Sequence, residues 1–175
     1  MDRFLAGVER RALRMAEFAV GNRNDALDLV QDAMIGLVKK YSERPESDWS
    51  ALFHRILQNR IRDFYRRSRV RNRLFAWFGK TGEEGEESVD PIAELADPVD
   101  ARPDDILVGR AAIEQLESAL QALPLRQQQA FLLRSWEGLD VAATAHAMGC
   151  SEGSVKTHYA RAVNRLREQL EDHWP

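Results

Sequence analysis

One acidic block divides this sequence and decides how the rest of it can fold. Thr81 to Asp105 holds five Glu and five Asp against Arg102 alone, a net of −9, with Pro91, Pro98 and Pro103 scattered through it. A stretch so charged and so poor in apolar residues cannot bury enough surface to offset the entropy of ordering it. It is expected to be a tether, so the flanking parts must find their own cores. With 175 residues, 44% hydrophobic and 30% charged, the chain has material for one ordinary core or two small ones. The reading is therefore two small helical domains: residues 1–78, an acidic linker over 79–106, and residues 107–175.

Both flanks carry helical periodicity, and no alternating apolar and polar run argues for strands, so the fold class is all-α. In the first flank, Ala26, Leu29, Val30, Ala33, Met34, Leu37, Val38 and Tyr41 form one stripe at i, i+3, i+4, i+7 spacing, with Asn24 or Asp25 as the expected cap. The opposite face carries Asp28, Gln31, Asp32 and Ile35. It reads either as a solvated face or as a docking face for a partner helix.

The average charge hides a cationic segment. The whole chain is at −3, yet Arg55 to Arg73 carries eight Arg against Asp63, a net of +7 with no lysine. Guanidinium groups grip phosphate bidentately and stack on bases, which ammonium groups do less well. Trp49, Leu52, Phe53, Ile56, Ile61 and Phe64 interleave with these arginines, and Gln58, Asn59, Phe64 and Tyr65 add amide and aromatic surface. That combination suits the unstacked bases of a single strand, although a solvated basic helix end has the same composition.

In the second flank, LDVAATAHAMGCSEGSVKTHYARAVNRLREQL fits two helices joined by a tight turn. Asp140 caps the first, through Ala147. Gly149 takes the left-handed position that ends it, and Ser151 caps the second, with Glu152 in its first turn. Small Ala143 and Ala145 let the helices approach. Val155, Tyr159, Ala162 and Leu166 fall on one face, the core side. Ser154, Lys156, Thr157, His158, Arg161 and Arg165 then face outward, a surface suited to the major groove and its phosphates. An ordinary helical hairpin is the alternative.

The remaining chemistry is sparse. The lone cysteine, Cys150, cannot form an internal disulfide and is expected to pack in the turn. His54, His146, His158 and His173 lack carboxylate or cysteine partners at recognisable spacing, so neither metal ligands nor catalytic residues are expected, and no cofactor or small-molecule substrate. No apolar run reaches the roughly 18 residues of a membrane span, and MDRFLAGVERR has no signal-peptide core, so a cytoplasmic location without membrane insertion is expected.

Taken together, Asp25-Ala26-Leu27-Asp28-Leu29-Val30-Gln31-Asp32, then Trp49 to Arg67 with Ile56, Asn59 and Asp63, then Leu123-Pro124, Gly138, Gly149 and Glu152-Gly153-Ser154-Val155-Lys156-Thr157 through Arg161-Ala162, resemble the extracytoplasmic-function sigma factors, group IV of the sigma-70 family. The order of three motifs carries the resemblance. The last motif alone resembles response-regulator helix-turn-helix proteins equally well.

The resemblance implies a transcription initiation factor rather than an enzyme, with bacterial core RNA polymerase and promoter DNA as partners and an anti-sigma factor as a further partner common in the family. It implies that Asp28, Gln31 and Asp32, with Ile35 beside them, dock on the clamp helices of the polymerase largest subunit. By the same carry-over, Asn59, Arg62, Asp63 and Arg66, with flanking Gln58, Arg67 and Arg69, open and read the minus-ten element. Lys156, Thr157, Ala160 and Arg161, with Ser154, His158 and Arg165, would read the minus-thirty-five element. The chain departs from the family pattern at Ala143 and Thr144, where an acidic residue and isoleucine are usual, and at His158, where a basic residue is common. The aromatic patch Leu74, Phe75, Trp77 and Phe78 is read as packing on a partner or on the first domain. The competing function is a two-domain helix-turn-helix regulator that acts without joining polymerase.

Overall fold

A computed structural model describes the backbone of residues 1–78 and 103–170, and the side chains of residues 1–68 and 113–170. The acidic block up to residue 102, the side chains of the aromatic patch at Leu74–Phe78 and the side chain of Arg69 lie outside those described residues. Every regular element described is helical. The first module is α1 (Asp2–Val20), α2 (Arg23–Tyr41) and α3 (Glu46–Phe78). The second is α4 (Pro103–Ala122), α5 (Leu125–Phe131) with a π-helical turn at Leu132–Trp136, α6 (Val141–Met148) and α7 (Glu152–Gln169). Because α4 begins at Pro103, residues 103–106, expected in the tether, are helical; proline is tolerated in a first helical turn, where its missing N–H has no partner to lose.

The α1–α2 junction shows why the chain turns there. Gly21 takes φ 71° and its N–H closes on Glu17 O, while the Asn22 side chain accepts from the N–H groups of Asn24 and Asp25. The cap is therefore Asn22, not Asn24 or Asp25: the capping side chain must precede the first helical residue to reach free N–H groups one turn on. On α1, Ala12, Ala16 and Ala19 are buried and let α2 and α3 approach closely, while Met15, Leu29, Val30, Leu37, Phe53, Leu57 and Ile61 fill the core. Gly36 serves the same purpose on α2, since a Cβ there would sit 3.4 Å from Ile56 Cγ2.

In the second module, Leu120, Leu123, Leu132, Leu133, Ala147, Met148, Val155, Ala162 and Leu166 form the core. The turn between α6 and α7 follows the sequence expectation. Asp140 Oδ1 accepts from Ala143 N at 2.7 Å, Gly149 takes φ 62°, and Ser151 Oγ accepts from Ser154 N at 3.2 Å.

The two modules do not stand apart. Helix α3 lies against α6, and α1 against α4. Their contact is polar as well as apolar. Gln128, 3% exposed, donates from Nε2 to Phe18 O at 3.0 Å and to Leu120 O at 2.9 Å, and the Phe18 ring meets Trp136 edge-on at 5.9 Å. Arg14 pairs with Glu117 across the seam.

Candidate nucleic-acid interface

Helix α3 sorts its residues by face. Phe53, Leu57 and Ile61 recur every four positions into the core, with His54 and Gln58 beside them. Gln58 is fully buried and donates from Nε2 to Met15 Sδ at 3.1 Å, so it does not belong to a strand-reading surface. An amide at that position extends the core stripe of α3, and its period points it inward with Phe53 and Ile61. The outward side holds Asn59, exposed, and Arg62, half-buried, one turn apart and hydrogen-bonded to each other. Asp63 accepts from Arg67 Nε through its backbone oxygen at 3.4 Å and pairs with Arg66 through Oδ1 at 3.4 Å. Asn59, Arg62, Asp63, Arg66 and Arg67 thus form one hydrophilic patch, as expected from sequence.

Helix α7 also divides as expected. Val155, Ala162 and Leu166 are buried, Tyr159 is half-buried with its ring stacked on Phe131 at 6.2 Å, and Lys156, Thr157, Ala160, Arg161 and Arg165 are exposed. Ser154 and His158 are half-buried at the edge of that face. Partial burial, then the charges of Arg126 and Arg161, hold the His158 imidazole below its usual pKa. His158 is therefore a neutral hydrogen-bonding group near pH 7.

A third face lies on α2. Asp28, Gln31, Asp32 and Ile35 are exposed, and Ile35 is 50% so. Val38, expected in the core stripe, is 41% exposed and extends this face beside Ile35. The reason is geometric: α1 and α3 cover only the side of α2 marked by Ala26, Leu29, Val30, Ala33 and Leu37. Arg60 reaches back from α3 to Asp32 at 3.8 Å. Ile35 and Val38 thus place two exposed apolar side chains on the face that carries Asp28, Gln31 and Asp32.

Sequence reasoning missed how the first two faces meet. The α6 carbonyl of Met148 accepts from Arg62 Nη1 at 3.3 Å and from Arg126 Nη1 at 2.8 Å. Arg62 also lies 3.5 Å from where a Cβ on Gly149 would stand. Burial, then crowding by Arg126, lowers the proton affinity of the Arg62 guanidinium. His54 was expected to lack a carboxylate partner. It is fully buried, with Nε2 3.3 Å from Glu137 Oε2, and Glu137 Oε1 accepts from Arg11 Nε at 3.2 Å. His54 and Glu137 belong to different modules, so no local spacing could signal the pair.

A helical module with an arginine-lined face, packed beside a helix-turn-helix module, is the make-up of a DNA-binding protein. Comparison with known proteins supports the assignment throughout the chain. The model for sigma-70 region 2 matches residues 1–71, and that for sigma-70 region 4 matches residues 113–166. The RNA polymerase sigma-E factor of Streptomyces avermitilis is 33% identical over 160 residues, 91% of this chain and 78% of that protein. The ECF RNA polymerase sigma factor SigM of Mycobacterium tuberculosis is 29% identical over 172 residues, 97% of this chain and 76% of that one. Among solved structures, the sigma factor RpoE of Bartonella quintana, crystallised with the anti-sigma factor NepR, superposes with a TM-score of 0.67 at 25% identity, covering 99% of this chain and 100% of that one.

The chain belongs to the sigma-70 family, in its extracytoplasmic-function group, and is an RNA polymerase sigma factor of transcription initiation. A regulator working without polymerase is not supported, since the region 2 model matches residues 1–71 of the first module and the relatives are RNA polymerase sigma factors. Among the described residues, no helix is long and apolar enough to cross a membrane.

Proposed function

We propose a division of labour for this sigma factor among its three faces. The α2 patch of Asp28, Gln31, Asp32, Ile35 and Val38 docks on core polymerase. The α3 patch of Asn59, Arg62, Asp63, Arg66 and Arg67 captures the melted minus-ten strand, with Arg69 continuing it along the same helix. The α7 face of Ser154, Lys156, Thr157, His158, Ala160, Arg161 and Arg165 reads the minus-thirty-five duplex. The polymerase supplies the chemistry, and no residue here acts on a covalent bond. Residues 1–78 and 107–175 are the two functional domains in this reading.

The observation that carries it is the sorting of α3: its apolar side is sealed into the core, while the outward side gathers Asn59, Arg62, Asp63, Arg66 and Arg67, with Arg66 and Arg67 held by contacts within their own helix. Guanidinium and amide groups gathered on one side of a helix suit a polyanion whose bases have been splayed. The 24 residues between the end of α3 at Phe78 and the start of α4 at Pro103 would reach roughly 80 Å if extended, more than two turns of B-DNA at about 34 Å, so two separated promoter elements are within range. An anti-sigma factor is a further partner, supported by the likeness to RpoE in its complex with NepR.

Run-off transcription with purified core polymerase tests the reading. Addition of the chain should give promoter-dependent transcripts, and core polymerase that starts equally well without it would refute the function. The chain should also bind free promoter duplex poorly by itself, whereas a regulator binds its operator alone with a salt slope set by its phosphate contacts.

A further inference from the structure

The cationic surface of the second module does not end with α7. Arg126 stands in the first turn of α5, just after Pro124, whose carbonyl accepts from Gln127 N at 2.8 Å and Gln128 N at 3.1 Å. Gln127 and Gln128 are buried, which leaves Arg126 half-buried at the edge where α5 packs on α7. Its Nη1 donates to the carbonyl of Met148, the last residue of α6, at 2.8 Å. Arg126 also lies near His158 of α7: after burial, its charge is the largest influence holding that imidazole below its usual pKa, with Arg161 acting in the same direction. Basic side chains from two helices therefore converge beside the α6–α7 turn.

This convergence lacks counter-charge. Among the described residues, Arg126, Lys156, Arg161 and Arg165 form no ion pair with a carboxylate, whereas Arg11, Arg14 and Arg23 of the first module all do. Like charges held close without an anion repel, and an anion among them removes that cost. A guanidinium carries five N–H donors, and Met148 O takes the one hydrogen bond that Arg126 makes within the chain. In a helix-turn-helix complex the first helix crosses the DNA backbone while the second enters the major groove. A cation anchored on the end of the first and set beside the second thus faces phosphate rather than a base edge.

We propose that Arg126, with His158 beside it, is the seat of one backbone phosphate of the minus-thirty-five duplex, a DNA-binding residue outside the recognition helix. This rests on the reading of α7 as the duplex-reading face. Because the same guanidinium holds Met148 O, the phosphate is tied to the α6–α7 turn, and the contact sets the register of α7 in the groove without choosing a base. Arg126 therefore contributes affinity and alignment, while sequence preference stays with the exposed side chains of α7.

The test uses holoenzyme reconstituted from core polymerase and the full-length chain, bound in the cold to promoter duplexes that carry an uncharged methylphosphonate at one minus-thirty-five phosphate at a time. Arg126→Gln should weaken binding to the unmodified duplex by about tenfold, the worth of one hydrogen bond to a charged group. It should also become indifferent to neutralisation of one particular phosphate that costs the wild-type holoenzyme affinity, while other positions cost both proteins alike. The slope of log affinity against log salt should shallow by about one. Arg126→Lys, which keeps the charge, should retain most of the affinity and the sensitivity at that same phosphate. Equal penalties at every phosphate in wild type and Arg126→Gln, with an unchanged salt slope, overturn the seat; a lowered melting temperature alongside them makes Arg126 a prop for the turn. If neither scrambling the element nor any methylphosphonate in it weakens the wild-type holoenzyme, the duplex-reading role of α7 fails and the seat falls with it.

Discussion

His54 Nε2 stands 3.3 Å from Glu137 Oε2, and these two side chains, from different modules, are both sealed from solvent. A buried carboxylate is unfavourable unless it is paired, and a pair split across two modules makes their docking specific as well as sticky. Burial pushes the Glu137 pKa up, but contact with His54 and Arg11 outweighs that and leaves it below the ordinary 4.5. A carboxyl depressed in the folded state stabilises above its unfolded pKa and loses that contribution as pH falls through its folded value. The seam should therefore loosen below about pH 4.5. Tryptophan emission from Trp136, at the seam, checks this. Glu137→Gln should lack that part of the titration, and an identical acid profile in the variant would contradict the assignment.

Arg161→Ala should weaken initiation from promoters with an intact minus-thirty-five element by about 1–3 kcal/mol if the contact is to a base. On a template with that element scrambled the difference should shrink. Arg161 is exposed on α7, so thermal stability should hardly change. Equal loss on both templates would make Arg161 a phosphate contact.

Asn59→Ala should impair strand opening more than closed-complex formation. Asn59 is exposed and its partner is Arg62, so little packing is lost. Permanganate reactivity of promoter thymines reports opening, and a mobility shift of the holoenzyme reports closed binding. Parallel loss of both would mark Asn59 as structural.

Ile35→Asp should leave the melting temperature within a degree or two, since Ile35 is 50% exposed. Affinity for core polymerase should fall by about 1.5–3 kcal/mol, the value of burying such a side chain. Unchanged co-purification with core polymerase would take Ile35 out of the docking patch.

Gly149→Ala should destabilise the second module by about 1–2 kcal/mol, because Gly149 holds φ 62°, where an L side chain is strained. The added methyl also meets the Arg62 guanidinium at 3.5 Å, ordinary contact that adds little. A thermal melt that does not move would show that the turn relaxes.

How much of this was legible in the sequence depends on the range of the cause. The caps Asp140 and Ser151, the stop at Gly149 and the two faces of α7 were readable, because each is set within a turn or two of its own helix. Asn22 was missed in favour of Asn24 and Asp25, a slip of the kind expected at helix ends, where several capping residues adjoin. Gln58 and Val38 failed for another reason. Periodicity marks a stripe but not its width, and the width is set by how α1 and α3 lie on α2 and on each other. Gln58 proved to be core and Val38 surface. The His54–Glu137 contact and the grip of Arg62 on Met148 O had no local signal, since they exist only where two modules far apart in sequence are docked.

The Met148 carbonyl is held at once by Arg126 of its own module and Arg62 of the other. Its direction is dictated by the length of α6, because each helical residue turns the chain by about 100°. Inserting one residue into that short helix would swing the acceptor away from both guanidiniums while sparing the caps on either side. A length change in an eight-residue helix would thus free both guanidiniums at once, so the fit between the modules depends on a count of residues as much as on their identity.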